Sequence, residues 1–362
     1  MGDLKGKKVR VLVVDDSAFY RQSMTSMLSS APQVEIIGTA RDGADAIMLV
    51  TKHRPDVITL DLEMPNVNGF VFLRWLMENT PTPVIVVSSQ SDQASVFKAL
   101  ELGAVDFLAK PTPRASWRIM EIRDELIAKV RAVAFVPIDR LISKAVSTHG
   151  PSVSFKMSDL KVVNRADTIQ LVAIGASTGG PTAVQSIIGG LPEDFPVPVV
   201  VTQHMPPGFT QYFAERLDKL SQVTVREAHH GDWMESGTVY ICPGGFHMTF
   251  KHAEQGILIQ LHEKQESDRY VPSVDRMFSS ATEVYGGQVL GVILTGMGND
   301  GRIGMRKIKE AGGQTLAESE ETAVVFGMPK EAIAEGVVDQ ILPLPQIPAE
   351  IVKRIWFQPG GG

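Results

Sequence analysis

Short apolar runs recur at close spacing in two stretches of the chain, and a third stretch between them lacks the pattern. Across residues 8–132 the runs are Val9–Asp15, Val34–Ala40, Val57–Asp61, Val84–Ser88 and Val105–Leu108. They are rich in Val, Ile and Leu, as strands buried on both faces are. Helical periodicity fills the gaps, and one more helical pattern lies near Arg114–Ala132. Five β–α units in a row predict an α/β domain with a doubly wound, five-stranded parallel sheet. Such a sheet places its ligands at the carboxyl ends of its strands.

Residues 133–168 scatter Ser, Pro and Gly without a clear period. They read as a linker with a short helix at Asp139–Val146, or as an arm packed on the neighbouring domain. Alternation resumes at Ile169, with runs at Gln170–Gly175, Val197–Gln203, Val223–Glu227, Val239–Cys242, Ile257–Leu261, Val289–Thr295 and Gln314–Ala317. Helical patterns follow at Pro181–Ile188, Phe209–Leu220, Val274–Tyr285 and Gly301–Ala311. Residues 169–357 therefore read as a second doubly wound α/β domain with a mostly parallel sheet. Its middle strands look like a hairpin, which predicts some antiparallel pairing within that sheet.

A length of 362 residues fits two domains. A net charge of −6 argues against a nucleic-acid-binding protein. The single cysteine, Cys242, excludes an internal disulfide and fits a reducing compartment. The first apolar run is too short to span or enter a membrane before it reaches Asp15. These features predict a cytoplasmic protein with no membrane insertion.

Three acids end two of the early runs: Asp15 and Asp16 after the first, Asp61 after the third. Clustered carboxylates repel one another unless a cation lies among them. Mg²⁺, a hard ion that takes a few oxygens plus phosphate, suits that set. Ser88 ends the fourth run, and Lys110-Pro111 follows the fifth. A lysine and a hydroxyl beside a metal-bound aspartate suit in-line phosphoryl transfer to a carboxylate. The motifs "VLVVDDS", "DLEMPNVNG", "VVSS" and "DFLAKP" resemble the receiver domain of two-component response regulators, over about residues 8–125. The resemblance implies a flavodoxin-like fold and phosphorylation of Asp61 by a histidine kinase. It implies Mg²⁺ held by Asp15, Asp16 and Asp61 with the Glu63 backbone carbonyl, and phosphoryl sensing by Ser88 and Lys110. Phe107 falls at the position of the family's switching aromatic, without a tyrosine hydroxyl.

The glycine-rich turn "GASTGG", residues 175–180, follows a strand pattern and precedes Pro181. It is not a dinucleotide fingerprint, because Ser177 stands where the second glycine belongs. The next strand ends in Gln203-His204 rather than in a ribose-binding acid. No Gly-Lys-Ser/Thr follows, so it is not a Walker loop. It does match Gly-x-Ser-x-Gly, a turn that lifts a serine hydroxyl above a sheet. The helix after it would aim free N–H groups at developing negative charge. Two further strand ends deliver His204 and, within "GMGNDG", Asp300. A serine, a base and an anion that orients the base make a nucleophilic set. Their order, Ser…His…Asp, differs from that of α/β-hydrolases.

The motifs "AIGASTGGP", "TQHMPPGFT", "YICPGGFHM", "PSVD", "LTGMGNDG" and "ETAVVFGMP" resemble the catalytic domain of the chemotaxis protein-glutamate methylesterase. That resemblance implies a Ser177–His204–Asp300 triad with the Met297 N–H in the oxyanion hole, and no cofactor for the ester chemistry. It implies phosphorylation-activated hydrolysis of glutamate methyl esters on the cytoplasmic helices of chemoreceptors, deamidation of receptor glutamine, and phosphate supplied by a chemotaxis kinase. The competing reading is a response regulator whose second domain binds a nucleotide or partner without chemistry. Asp275 rivals Asp300 as third residue but reads better as a helix cap. Cys242, with no base nearby in the pattern, reads as packing. His247 reads as lining the substrate groove. His229, His230, His252 and His262 lack compact metal-ligand spacing.

Overall fold

The runs rich in Val, Ile and Leu form strands because both faces of each strand are covered. The computed structural model describes residues 7–89, 92–110, 122–137 and 169–356. The chain divides into two compact units, residues 1–148 and 149–362. Most of the segment read as a linker, its short helix at Asp139–Val146 included, lies outside the described residues. So does the beginning of the helix expected near Arg114, which is described over Arg123–Val133.

In the first unit β1 (Val9–Val14), β2 (Val34–Ala40), β3 (Val57–Leu60), β4 (Val84–Ser89) and β5 (Asp106–Lys110) form a five-stranded sheet in the order β2-β1-β3-β4-β5. Every pairing in it is parallel. Side-chain caps start two of its helices. Asp42 accepts from the Asp45 N–H before Gly43–His53, and Asn68 from the Val71 N–H before Gly69–Asn79. Each satisfies a donor the helix leaves unpaired. Because β1 and β3 are neighbours, Asp15 and Asp61 emerge side by side.

The second unit holds a seven-stranded sheet in the order β14-β13-β12-β6-β7-β9-β8. Its strands are β6 (Leu171–Ala176), β7 (Val199–Gln203), β8 (Thr224–Glu227), β9 (Thr238–Ile241), β12 (Val289–Ile293), β13 (Gln314–Glu318) and β14 (Gln340–Leu342). All six pairings are parallel. The antiparallel pairing expected inside this sheet is not there. It belongs to a separate hairpin, β10 (Phe246–Ala253) with β11 (Gly256–Glu263). The hairpin buries Met248, Phe250 and Ile259 in the core that also takes Met277 and Phe278 of helix Val274–Tyr285. The hairpin packs on that helix, where the Phe250 N–H donates to Ser280 Oγ at 2.8 Å, so its apolar face is covered without its joining the sheet.

The strand order sets up the site. β6 lies between β12 and β7. The chain leaves β6 toward β7 on one side and later returns to β12 on the other, which makes the end of β6 a topological switch point.

Candidate active site

Ser177 directly follows β6, and its main chain is tied on both sides. Its N–H donates to the Thr295 carbonyl at 3.0 Å. Its carbonyl accepts from the Gly180 N–H at 2.7 Å and from Gln203 Nε2 at 2.9 Å. Gln203, the buried last residue of β7, also donates Nε2 to the His204 carbonyl at 3.0 Å, so one amide group ties the serine turn to the histidine. This close approach is why residue 180 has no side chain: a Cβ there would lie 2.0 Å from Gln203 Oε1. Gly180→Ala should destabilise the chain by about 1–3 kcal/mol, the usual range for overpacking. A urea melt of the variant checks it; an unchanged midpoint would refute the close packing.

His204 lies between Ser177 and Asp300. Its Nδ1 is 3.2 Å from Ser177 Oγ, and its Nε2 is 2.8 Å from Asp300 Oδ2. The ring nitrogens are exchanged relative to the serine-protease arrangement, but the chemistry needs only one nitrogen to accept and the other to donate. Asp300, 2% exposed, is held by four further donors. Its Oδ2 accepts from the Val274 N–H; its Oδ1 accepts from Ser273 Oγ and from the Asp275 and Gly301 N–H groups. Burial works against its charge. The His204 hydrogen bond and charge, together with the backbone N–H groups, outweigh burial and hold its carboxyl below the usual carboxylate range. It is an anion fixed before any substrate arrives.

Asp275 does not join this set. It sits in the first turn of helix Val274–Tyr285, and its Oδ1 accepts from the Gly304 N–H at 2.7 Å, at the start of helix Arg302–Glu310. Burial raises its pKa. Met297 follows Gly296, where a Cβ would come within 2.8 Å of the Ser177 Cβ. Its N–H makes no hydrogen bond among the described residues.

In the first unit carboxylate oxygens of Asp15, Asp16 and Asp61 lie within 4.8 Å of one another, with Asp15 and Asp61 buried and Asp16 exposed. Lys110 Nζ bridges the buried pair, 2.8 Å from Asp15 and 2.6 Å from Asp61. Burial opposes the lysine's charge, but the two carboxylates outweigh it and raise its pKa. Burial raises the pKa of Asp15, against the pull of Lys110. Glu63 donates its N–H to Asp61 Oδ1 at 3.4 Å, which leads its main chain past the cluster. Ser88 is buried at the end of β4, its Oγ 3.4 Å from Asp92 Oδ2. Phe107 is buried in β5, with Lys129 Nζ 5.9 Å from its ring centroid.

The model of the CheB methylesterase family matches residues 172–351, and that of the response regulator receiver domain matches 11–120. A Geobacter sulfurreducens protein named protein-glutamate methylesterase/protein-glutamine glutaminase 3 is 49% identical over 362 residues, covering 96% of this chain and 98% of that one. This chain belongs to that family. A Pyrococcus horikoshii protein-glutamate methylesterase/protein-glutamine glutaminase is 42% identical over 99% of the chain and 97% of its own length. Among solved structures, the Thermotoga maritima CheB methylesterase catalytic domain is 45% identical, with a TM-score of 0.50 over 51% of this chain and 98% of that one. Membership does not favour a non-catalytic output domain.

Within this methylesterase fold one residue departs from what its motif implied, and Cys242 does not. His247 does not line a groove. It is buried, and its Nε2 lies 2.9 Å from Asp268 Oδ2. Cys242 is buried, and burial pushes its thiol pKa far up, so it packs rather than reacts. Arg302 and Arg306 pair with Glu335, and Lys309 with Asp339. Pattern reading missed Gln203 and Ser273. Only Ser273 carried a signal, as the serine just before a helix.

Proposed function

We propose that this methylesterase acts through Ser177, His204 and Asp300 on methylated glutamates in the cytoplasmic helices of chemoreceptors, from the cytoplasm. Ser177 Oγ attacks the side-chain ester carbonyl while its proton passes to His204 Nδ1. Asp300 keeps a proton on Nε2 and stabilises the imidazolium. The Met297 N–H donates to the carbonyl oxygen as it becomes an oxyanion, beside the start of helix Gly180–Ile188. The imidazolium then protonates the departing methoxide oxygen, and methanol leaves. Water, deprotonated by His204, hydrolyses the acyl-enzyme and restores both glutamate and Ser177. With a glutamine substrate, ammonia takes the place of methanol. The observation that supports this reading best is the His204 ring bonded at one edge to Ser177 and at the other to a buried anion. Labelling by a serine-reactive phosphonate, mapped by mass spectrometry, tests it: the label is expected on Ser177, and a label elsewhere contradicts the reading.

The first domain, 8–132, joined by 133–168 to a catalytic domain at 169–357, would be the regulator. Asp61 would take a phosphoryl group from a chemotaxis histidine kinase. Asp15, Asp16 and Asp61 suit Mg²⁺, their hard carboxylate oxygens lying within 4.8 Å of one another with one exposed member, and the Glu63 carbonyl would be a fourth ligand. When bound, the ion supplies positive charge against the carboxylate and phosphoryl oxygens. Lys110 stands at Asp61 Oδ2 to follow the phosphoryl group, and Ser88 and Phe107 would report its arrival. The phosphoacceptor and Ser177 lie in different units, so phosphorylation shifts a conformational equilibrium rather than joining the ester chemistry. A ten-fold stimulation needs only about 1.4 kcal/mol of coupling. Asp61→Asn should lose the stimulation of methanol release by a small phosphodonor plus Mg²⁺. Equal stimulation of variant and parent would show that another group accepts the phosphate.

No helix among the described residues is long and apolar enough to cross a membrane.

A further inference from the structure

We infer that Tyr270 is a positioning residue for His204, and that buried His247 and Asp268, with the partly exposed Arg276, latch the loop that carries it. The inference rests on the Ser177–His204–Asp300 reading. The Tyr270 ring lies flat on the His204 imidazole, with centroids 5.1 Å apart and planes 9° from parallel. The bonds to Ser177 and Asp300 lie at the edges of the imidazole and hold two points of it. Turning about the Cα–Cβ and Cβ–Cγ bonds would carry both nitrogens out of line together. A parallel, offset neighbour on one side limits that turning. Tyr270 is itself wedged. Its hydroxyl sits where a Cβ on Gly298 would come within 2.5 Å. The Arg269 guanidinium lies 5.1 Å from its ring centroid.

The loop, residues 264–273, links β11 to helix Val274–Tyr285. Asp268, two residues before Tyr270, is turned inward, with its side chain 7% exposed. Its Oδ2 accepts from His247 Nε2 at 2.9 Å and from the Gln265 N–H at 2.8 Å, and its Oδ1 accepts from the Arg276 guanidinium. The carboxylate thus ties the loop to β10 on one side and to helix Val274–Tyr285 on the other. The start of that helix also holds Asp300, through Ser273, Val274 and Asp275. Burial favours neutral His247, and its Nδ1 has no partner among the described residues. The ring is therefore committed to one bond, the one that anchors Asp268.

The test is steady-state methanol release by the full chain from methylated receptor. Tyr270 is half-buried, so truncating it leaves no closed cavity. Tyr270→Ala should lower kcat about 10- to 100-fold, the scale of a small misplacement of a catalytic group, with KM nearly unchanged. Tyr270→Phe keeps the stacked ring and should restore kcat to within about 3-fold of the parent, since loss of an edge contact moves no reacting group. Asp268→Asn should lower kcat in the same way. The double variant, Tyr270→Ala with Asp268→Asn, should be no slower than Tyr270→Ala, because both act through one loop. A parental kcat in Tyr270→Ala overturns the inference, as does a loss confined to KM. A Phe variant as slow as Ala overturns the stacking role, and multiplying effects overturn the latch. Ser177→Ala, run beside them, separates the two layers. Turnover by that variant sinks the triad itself, whereas an inactive Ser177→Ala with a normal Tyr270→Ala sinks only the positioning role.

Discussion

Ser177→Ala should release methanol at a rate lower by roughly six orders of magnitude, as loss of a serine nucleophile does in a comparable triad. The variant should still fold. Residue 177 enters the bonds that shape the turn only through its main chain: those with Thr295, Gly180 and Gln203 use its N–H and carbonyl, not its hydroxyl. His204 keeps its bond to Asp300, so no buried charge is stranded. Methanol assay and circular dichroism together decide it, and near-normal turnover would end the serine mechanism.

Asp300→Asn should lower turnover by about 10⁴-fold, and here the loss has two routes. With the new amide nitrogen in the place of Oδ2, it faces the Val274 N–H and would turn His204 Nε2 into an acceptor. The remaining proton would then sit on Nδ1 and point at Ser177, leaving no base. With the nitrogen in the place of Oδ1, it faces the Asp275 and Gly301 N–H groups, leaving buried donors unpaired at about 1–3 kcal/mol each. The variant should therefore be both slower and less stable to urea. Asp275→Asn is the control. It disturbs a helix cap at Gly304 rather than the imidazole. If it, and not Asp300→Asn, carried the large kinetic loss, the assignment of the orienting anion would be wrong.

Several features were legible in the sequence for a local reason. Ser177 and His204 each directly follow an apolar run, and Asp300 lies shortly after another. A buried parallel strand writes itself as such a run, so its end can be read from neighbouring residues alone. The same holds for Asp15 and Asp61, and for helices such as Phe209–Leu220 and Val274–Tyr285, whose periodicity and boundaries are local. Where the pattern is short or shared, reading failed. β14 has only three residues, Gln340–Leu342, too few for any period to show. β10 has residues of strand type but follows a Pro-Gly-Gly turn, and nothing in the pattern says which sheet it joins.

What the chain determined by itself is therefore the set of strand ends and the chemical groups on them. The tertiary structure decided which groups meet. The order β12-β6-β7 brings His204 to Asp300 across 96 positions of sequence, and no local pattern carries strand order. Gln203 acts through an amide aimed back across the sheet, and Tyr270 through a flat contact set by a loop anchored at His247. A residue that works by its angle to a distant neighbour leaves no trace in spacing, because spacing records only what is close along the chain.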